Sequence, residues 1–74
     1  MTSLPQVSGL RLIRALKRDG RFEVEESGHR HARVYRGGHL AATIPRHRAP
    51  LKPGTLKNIL GDLGLSIEDV KKLL

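Results

Sequence analysis

Apolar residues near the start of the chain recur at helical spacing. Leu10, Ile13 and Leu16, with Leu12 beside them, form one stripe, and Arg11, Arg14, Lys17 and Arg18 fill the opposite side. The pattern predicts a helix over residues 8–19. Ser8 is placed to cap it, because a seryl oxygen accepts from N–H groups that a first turn leaves free. Gly20 is placed to end it in a left-handed conformation.

The period then shortens from helical to two. Phe22 and Val24 alternate with Glu23 and Glu25; Ala32 and Val34 alternate with His31, Arg33 and Tyr35. A third run, residues 39–44, sets Leu40, Ala42 and Ile44 on one face and stops at Pro45. Gly37 and Gly38 between the second and third runs are a hairpin signal. These runs predict a three-stranded antiparallel meander with one apolar face.

Residues 47–52 read as a loop rich in charge and proline. Pro53 suits the first turn of a helix, where its missing N–H costs nothing. Leu56, Ile59, Leu60 and Leu63 make that helix's buried stripe, and Gly64 closes it. Ser66 then caps a last short helix, with Asp69 at the reciprocal position and Leu65 and Val70 placed as a hydrophobic staple. Helix, three strands, helix, short helix, with the helices on one face of the sheet, is an α+β arrangement. With 74 residues the chain is expected to form a single domain, residues 1–74, around a modest core.

Composition narrows the function. With no cysteine, neither a disulfide framework nor a thiolate metal site can staple the fold. The opening residues lack the charged start and apolar run of a signal peptide, and no stretch is long enough to cross a bilayer. A soluble, cytoplasmic protein is expected. Fourteen Lys and Arg against seven Asp and Glu give a net charge of +7, unevenly placed. From Ser27 to Gly61 there is no acid, while Arg30, Arg33, Arg36, Arg46, Arg48, Lys52 and Lys57 and all four histidines fall inside that span. A field of one sign over half a small domain draws a polyanion. The plain alternative is a basic protein kept soluble by its charge. A membrane surface is disfavoured, because no helix pairs a basic face with a broad aromatic or leucine face.

If Ala32 and Val34 are core, alternation turns His31, Arg33 and Tyr35 outward, setting an imidazole, a guanidinium and a phenol in a row. RNA carries its own nucleophile, the 2′-hydroxyl. Its cleavage needs a base for that proton, an acid for the departing 5′-oxygen and positive charge near the phosphorane. A histidine titrates near neutrality and can serve as either acid or base, and Arg33 or Arg30 can stabilise the charge. The alternative for His31 is an ordinary surface residue in a charged strand. His29 and His31 share a strand face and could both ligate a metal, but no Cys, Asp or Glu is expected close enough to complete the shell. At the entry to the second helix, Lys52, Thr55 and Lys57 surround N–H groups of the kind that bind phosphate; a plain cap through Thr55 is the competing reading. With only Phe22 and Tyr35 as aromatics, recognition by stacking several bases is disfavoured.

Several segments together resemble the HicA family of toxin–antitoxin modules. They are Gly9-Leu10-Arg11-Leu12-Ile13-Arg14-Ala15-Leu16-Lys17 with Gly20 and Phe22, then Thr43-Ile44-Pro45-Arg46-His47. Pro53-Gly54-Thr55-Leu56, Ile59-Leu60 and Gly64-Leu65-Ser66 complete the match, which runs from Gly9 to Leu74. The resemblance implies a double-stranded-RNA-binding-domain-like fold, cleavage of messenger RNA without a cofactor, and neutralisation by a HicB antitoxin. The family usually carries a Gly-Ser-His or Gly-Gly-His triplet whose histidine is catalytic. Here the segment is Ser27-Gly28-His29-Arg30-His31, so two histidines compete for the role. Counting forward from Phe22 and back from Pro45 favours His31; His29 keeps the neighbouring glycine. Arg30, Arg33, Tyr35, Arg46, His47, Lys52, Thr55 and Lys57 are the expected RNA contacts. A non-catalytic RNA-binding module on the same fold, and an interaction protein for an acidic partner, are the alternatives.

Overall fold

A computed structural model describes residues 4–26 and 30–74. The elements run α1 (Gly9–Arg18), β1 (Phe22–Glu25), β2 (His31–Arg36), β3 (His39–Pro45), α2 (Pro53–Leu63) and α3 (Ile67–Leu73). The strands form one antiparallel sheet in the order β1-β2-β3. Helices cover one face, giving the α+β, double-stranded-RNA-binding-domain-like arrangement with a short third helix. No helix among the described residues is long and apolar enough to cross a membrane.

Ser8 caps α1, its Oγ accepting from the Arg11 N–H at 3.1 Å. The buried face is Leu12, Ile13, Ala15 and Leu16. Leu10 stays half-buried at the helix edge, outside the expected stripe. The C-terminus also departs from expectation. Gly20 does not adopt a left-handed conformation; Asp19 is the cap, with φ −91° and ψ 115°. The Asp19 carboxylate accepts from the Arg21 backbone N–H at 3.0 Å and from its guanidinium at 2.7 Å, so a side-chain turn ends the helix instead.

Gly37 and Gly38, at φ 60° and 79°, supply the two positive-φ positions of a tight hairpin between Arg36 and His39. Just beyond it the β2–β3 register shifts: Tyr35 faces Leu40 but Val34 faces Ala42, so Ala41 is an extra residue. A bulge of this kind breaks strict alternation. Ala42 and Ile44 point into the core as expected, whereas Leu40 is turned out and 55% exposed.

The core joins Leu12, Ile13 and Leu16 of α1 to Ala32, Val34, Ala42 and Ile44 of the sheet and to Leu56, Ile59, Leu60 and Leu63 of α2. Gly64, at φ 71°, closes α2, and the Arg36 guanidinium donates to the Leu63 carbonyl there at 2.9 Å. Ser66 and Asp69 form the reciprocal cap of α3, and Leu65 and Val70 are both buried. No charged or polar residue is buried among the described residues.

The placement of α1 matters most for the site. A Cβ on Gly9 would lie 1.7 Å from the Pro45 carbonyl oxygen, so only glycine lets the helix start against the end of β3. The Leu10 N–H donates to the His47 carbonyl at 3.2 Å, and the Leu51 N–H to the Val7 carbonyl at 2.9 Å. The segment before α1 and the loop after β3 are thereby stitched together.

Candidate active site

Burial of Ala32 and Val34, neither with any exposed surface, fixes the outward side of β2. His31 and Arg33 are exposed on it and Tyr35 is half-buried. Residues two apart on a strand stand about 7 Å from one another, so His31 and Arg33 can address neighbouring groups of one ligand. His31 is the first residue of β2 and pairs with Pro45, the last of β3. The Arg46 N–H donates to the Arg30 carbonyl at 2.8 Å, which fastens the approach to His31 onto the departing end of β3. Arg30, His31, Arg46 and His47 thus meet at one end of the sheet. His29 lies outside the described residues.

The span without acids in sequence is not free of acids in space. Antiparallel pairing sets Glu25 opposite Arg33 and Glu23 opposite Tyr35. The Arg33 guanidinium reaches the Glu25 carboxylate at 3.3 Å. An exposed pair of this kind is worth no more than ~1 kcal/mol, so a phosphate can compete for Arg33. The two carboxylates are the neighbours that sequence reading missed. Their signal was present in the β1–β2 hairpin, because the alternation that turns Arg33 and Tyr35 outward turns Glu23 and Glu25 outward as well.

Arg46 and His47 sit differently from simple RNA contacts. Arg46 Nε lies 4.0 Å from Glu26, whose other carboxylate oxygen accepts from the Lys17 ammonium at 2.6 Å. The Lys17 hydrogen bond chiefly, with the fields of Lys17, Arg46 and Arg14, holds the Glu26 carboxyl below its ordinary value, against a smaller opposing effect of burial. Arg46 is therefore drawn toward α1. The His47 backbone docks α1 while its side chain is exposed.

At α2, Lys52 is the N-cap residue, with no side-chain cap bond. Thr55 is exposed and does not provide one. Lys57 lines a hollow with Leu60, Leu65 and Ile67, so it faces α3 and not the helix start. Lys52 borders a different hollow, with Leu4, Pro50, Pro53 and Leu56. Among the described residues no three His, Asp or Glu side chains gather as a metal site would need.

An exposed imidazole at a strand end, arginines beside it and an open sheet face suit acid–base chemistry on a polyanion. A family model described as the HicA toxin of bacterial toxin–antitoxin systems matches residues 10–65. No curated protein and no solved structure matches the chain. The family match takes in α1, the whole sheet and α2, the elements that build this strand end, and the chain belongs to the HicA family of bacterial toxin–antitoxin toxins.

Proposed function

We propose that residues 1–74 act as one ribonuclease domain, a toxin that cuts messenger RNA in the cytoplasm through His31 and the RNA's own 2′-hydroxyl, without a cofactor. The observation that carries this is the alternation along β2, with buried Ala32 and Val34 setting the His31 imidazole on the open face. Neutral His31 takes the 2′-hydroxyl proton as O2′ attacks phosphorus. The P–O5′ bond breaks, and the leaving oxygen takes a proton from imidazolium or water. The products are a 2′,3′-cyclic phosphate and a 5′-hydroxyl end. Arg30 and Arg33 flank His31 and supply charge to the phosphorane. Tyr35, Arg46, His47, Lys52, Thr55 and Lys57 are assigned to the flanking strand of RNA, with Lys57 the most peripheral.

The family's antitoxin partnership gives the open face a second occupant. A HicB antitoxin that lay over His31 and Arg33 would block the RNA. Glu23 and Glu25 at the margin give such a partner a mixed-charge surface that RNA itself would avoid.

One observation favours the non-catalytic alternative: among the described residues no side chain hydrogen-bonds His31 to orient it. Incubating the purified protein with RNA in excess EDTA and mapping the ends decides between the two. Cyclic-phosphate ends that vanish with His31→Ala support cleavage. Ends that persist with His31→Ala but vanish with His29→Ala move the role to His29. RNA binding with no ends at all leaves the binding module.

A further inference from the structure

α1 violates the usual charge pattern of a helix. Its first turn holds no acid, and Arg11 stands there instead. A cation at the positive end of the helix dipole costs a few tenths of a kcal/mol, and among the described residues no ion pair of Arg11 offsets it. Arg14 follows one turn later on the same side. Arg48, in the loop fastened to this helix through His47, completes a cleft lined by Ser8, Leu10, Arg11, Arg14 and Arg48. Three guanidiniums and no acid line it. Among the described residues, none of the three makes an ion pair, unlike Lys17, Arg21, Arg33 and Arg46.

The backbone donors of Leu10, Arg11 and Leu12 are already engaged. Leu10 N–H goes to the His47 carbonyl, Arg11 N–H to the Ser8 Oγ, and Leu12 N–H to the Ser8 carbonyl. Whatever the cleft holds is held by side chains. Guanidiniums pair two N–H donors with two oxygens of a phosphate, a geometry that suits consecutive phosphodiesters of a flexible strand.

We infer that the Arg11–Arg14–Arg48 cleft is a second RNA subsite, binding backbone phosphates of the strand whose scissile bond lies at His31. Its position supports this. His31 pairs with Pro45, and Arg48 follows Pro45 by three residues, so their Cα atoms are at most ~16 Å apart. A strand of a few nucleotides spans that distance around the end of the sheet. The cleft rests on the ribonuclease reading for its purpose but not for its ligand.

The test is fluorescence anisotropy with a labelled single-stranded 2′-O-methyl RNA, which lacks the nucleophile and cannot be cut, titrated at several salt concentrations. Arg11→Ala/Arg14→Ala/Arg48→Ala is expected to lower the log–log salt slope by about 2 and the affinity roughly tenfold or more. The matching triple Lys variant is expected to keep the slope, because charge is retained, and to lose part of the affinity. An unchanged thermal melt shows that the fold is intact. An Ala variant with unaltered slope and affinity overturns the subsite, and one that instead loses only an antitoxin protein assigns the cleft to that protein. The slope does not depend on catalysis, so failure of His31→Ala to stop cleavage would strike the ribonuclease site alone.

Discussion

The two ends of the sheet use the same residue types for opposite purposes. At the hairpin end the cations are consumed by the fold. Arg36 donates to the last turn of α2 and lies 5.5 Å from the Phe22 ring centroid, and Arg21 approaches the same ring at 5.5 Å while gripping Asp19. At the other end, Arg30, His31, His47 and Arg48 are exposed, and none makes an ion pair among the described residues. A guanidinium with a backbone carbonyl on one side and a ring on the other contributes to stability. One left in water contributes little until a polyanion arrives. Where a basic domain leaves its cations unpartnered is where its ligand is expected, and here that is the His31–Pro45 end.

Replacing His31 sharpens this contrast most. Loss of an acid–base group costs on the order of 10²- to 10⁴-fold in rate. His31→Ala is expected to remove at least that much RNA cleavage, read by end mapping and by growth of an expressing culture. Its melting temperature should stay within a degree or two, since an exposed side chain with no hydrogen bond is worth under ~0.5 kcal/mol. A His31→Ala protein that melts several degrees lower would place the imidazole among the structural residues and erase the distinction between the ends.

Gly9 is the exception at the open end, a structural residue beside the site. Gly9→Ala would drive a methyl into the Pro45 carbonyl, which sits 1.7 Å from the new carbon. Either α1 or the end of β3 must shift, at a cost of ~1–3 kcal/mol for overpacking against backbone. A lower urea midpoint with unchanged slope is the expected result. A shift at the end of β3 moves Pro45, which pairs with His31, and cleavage should then fall further than the loss of folded protein explains. A variant as stable as the parent would mean that the helix start tolerates a wider approach.

The fold was legible wherever apolar periodicity was strict. Ala32 and Val34, the α2 stripe and the Ser66–Asp69 cap all follow from spacing, as does the outward His31. What periodicity could not show was a backbone irregularity: the extra Ala41 reverses Leu40, and nothing in residues 39–44 marks it. Gly20 misled because Asp19 and Arg21 provide a competing side-chain turn. The site was half legible. Its strand and histidine could be placed, but the charge around it could not. Pairing across strands brings Glu23 and Glu25 to Tyr35 and Arg33 from a segment that looked separate, and Arg11 and Arg14 read as the solvated face of a helix, with nothing in the sequence to set Arg48 beside them.

Substitution at the hairpin end reverses the expected balance of effects. Arg36→Met keeps most of the side chain's apolar stem and removes the charge, so the Leu63 carbonyl loses its donor and Phe22 one cation. A charge-assisted hydrogen bond of this kind, with a cation over a ring, is worth ~1–3 kcal/mol. A melting temperature lower by several degrees, with RNA cleavage per folded molecule unchanged, is the expected outcome. Loss of RNA affinity without loss of stability would show that Arg36 belongs to the ligand after all.

The smallest effect is expected at Asp19, visible only against pH. Hydrogen bonds from the Arg21 side chain and backbone, helped by the fields of Arg21 and Arg36, hold the Asp19 carboxyl down to about 2. A carboxyl whose folded pKa lies below its unfolded value binds fewer protons folded than unfolded between the two values, so acid favours unfolding there. The stabilisation is fully present above the ordinary aspartate range, at pH 5 and higher, and is lost as pH falls toward 2. Asp69, held low by the Ser66 backbone and hydroxyl, and Glu26, held low by Lys17, act in the same direction. Asp19→Asn should therefore flatten only part of the acid limb in a series of melts from pH 6 to pH 2. An Asn side chain can still accept from the Arg21 N–H, so the turn that ends α1 is kept and the loss at neutral pH stays small. An acid limb as steep as the parent's would assign the acid sensitivity to Asp69 and Glu26, and reduce the Asp19–Arg21 pair to a turn without electrostatic weight.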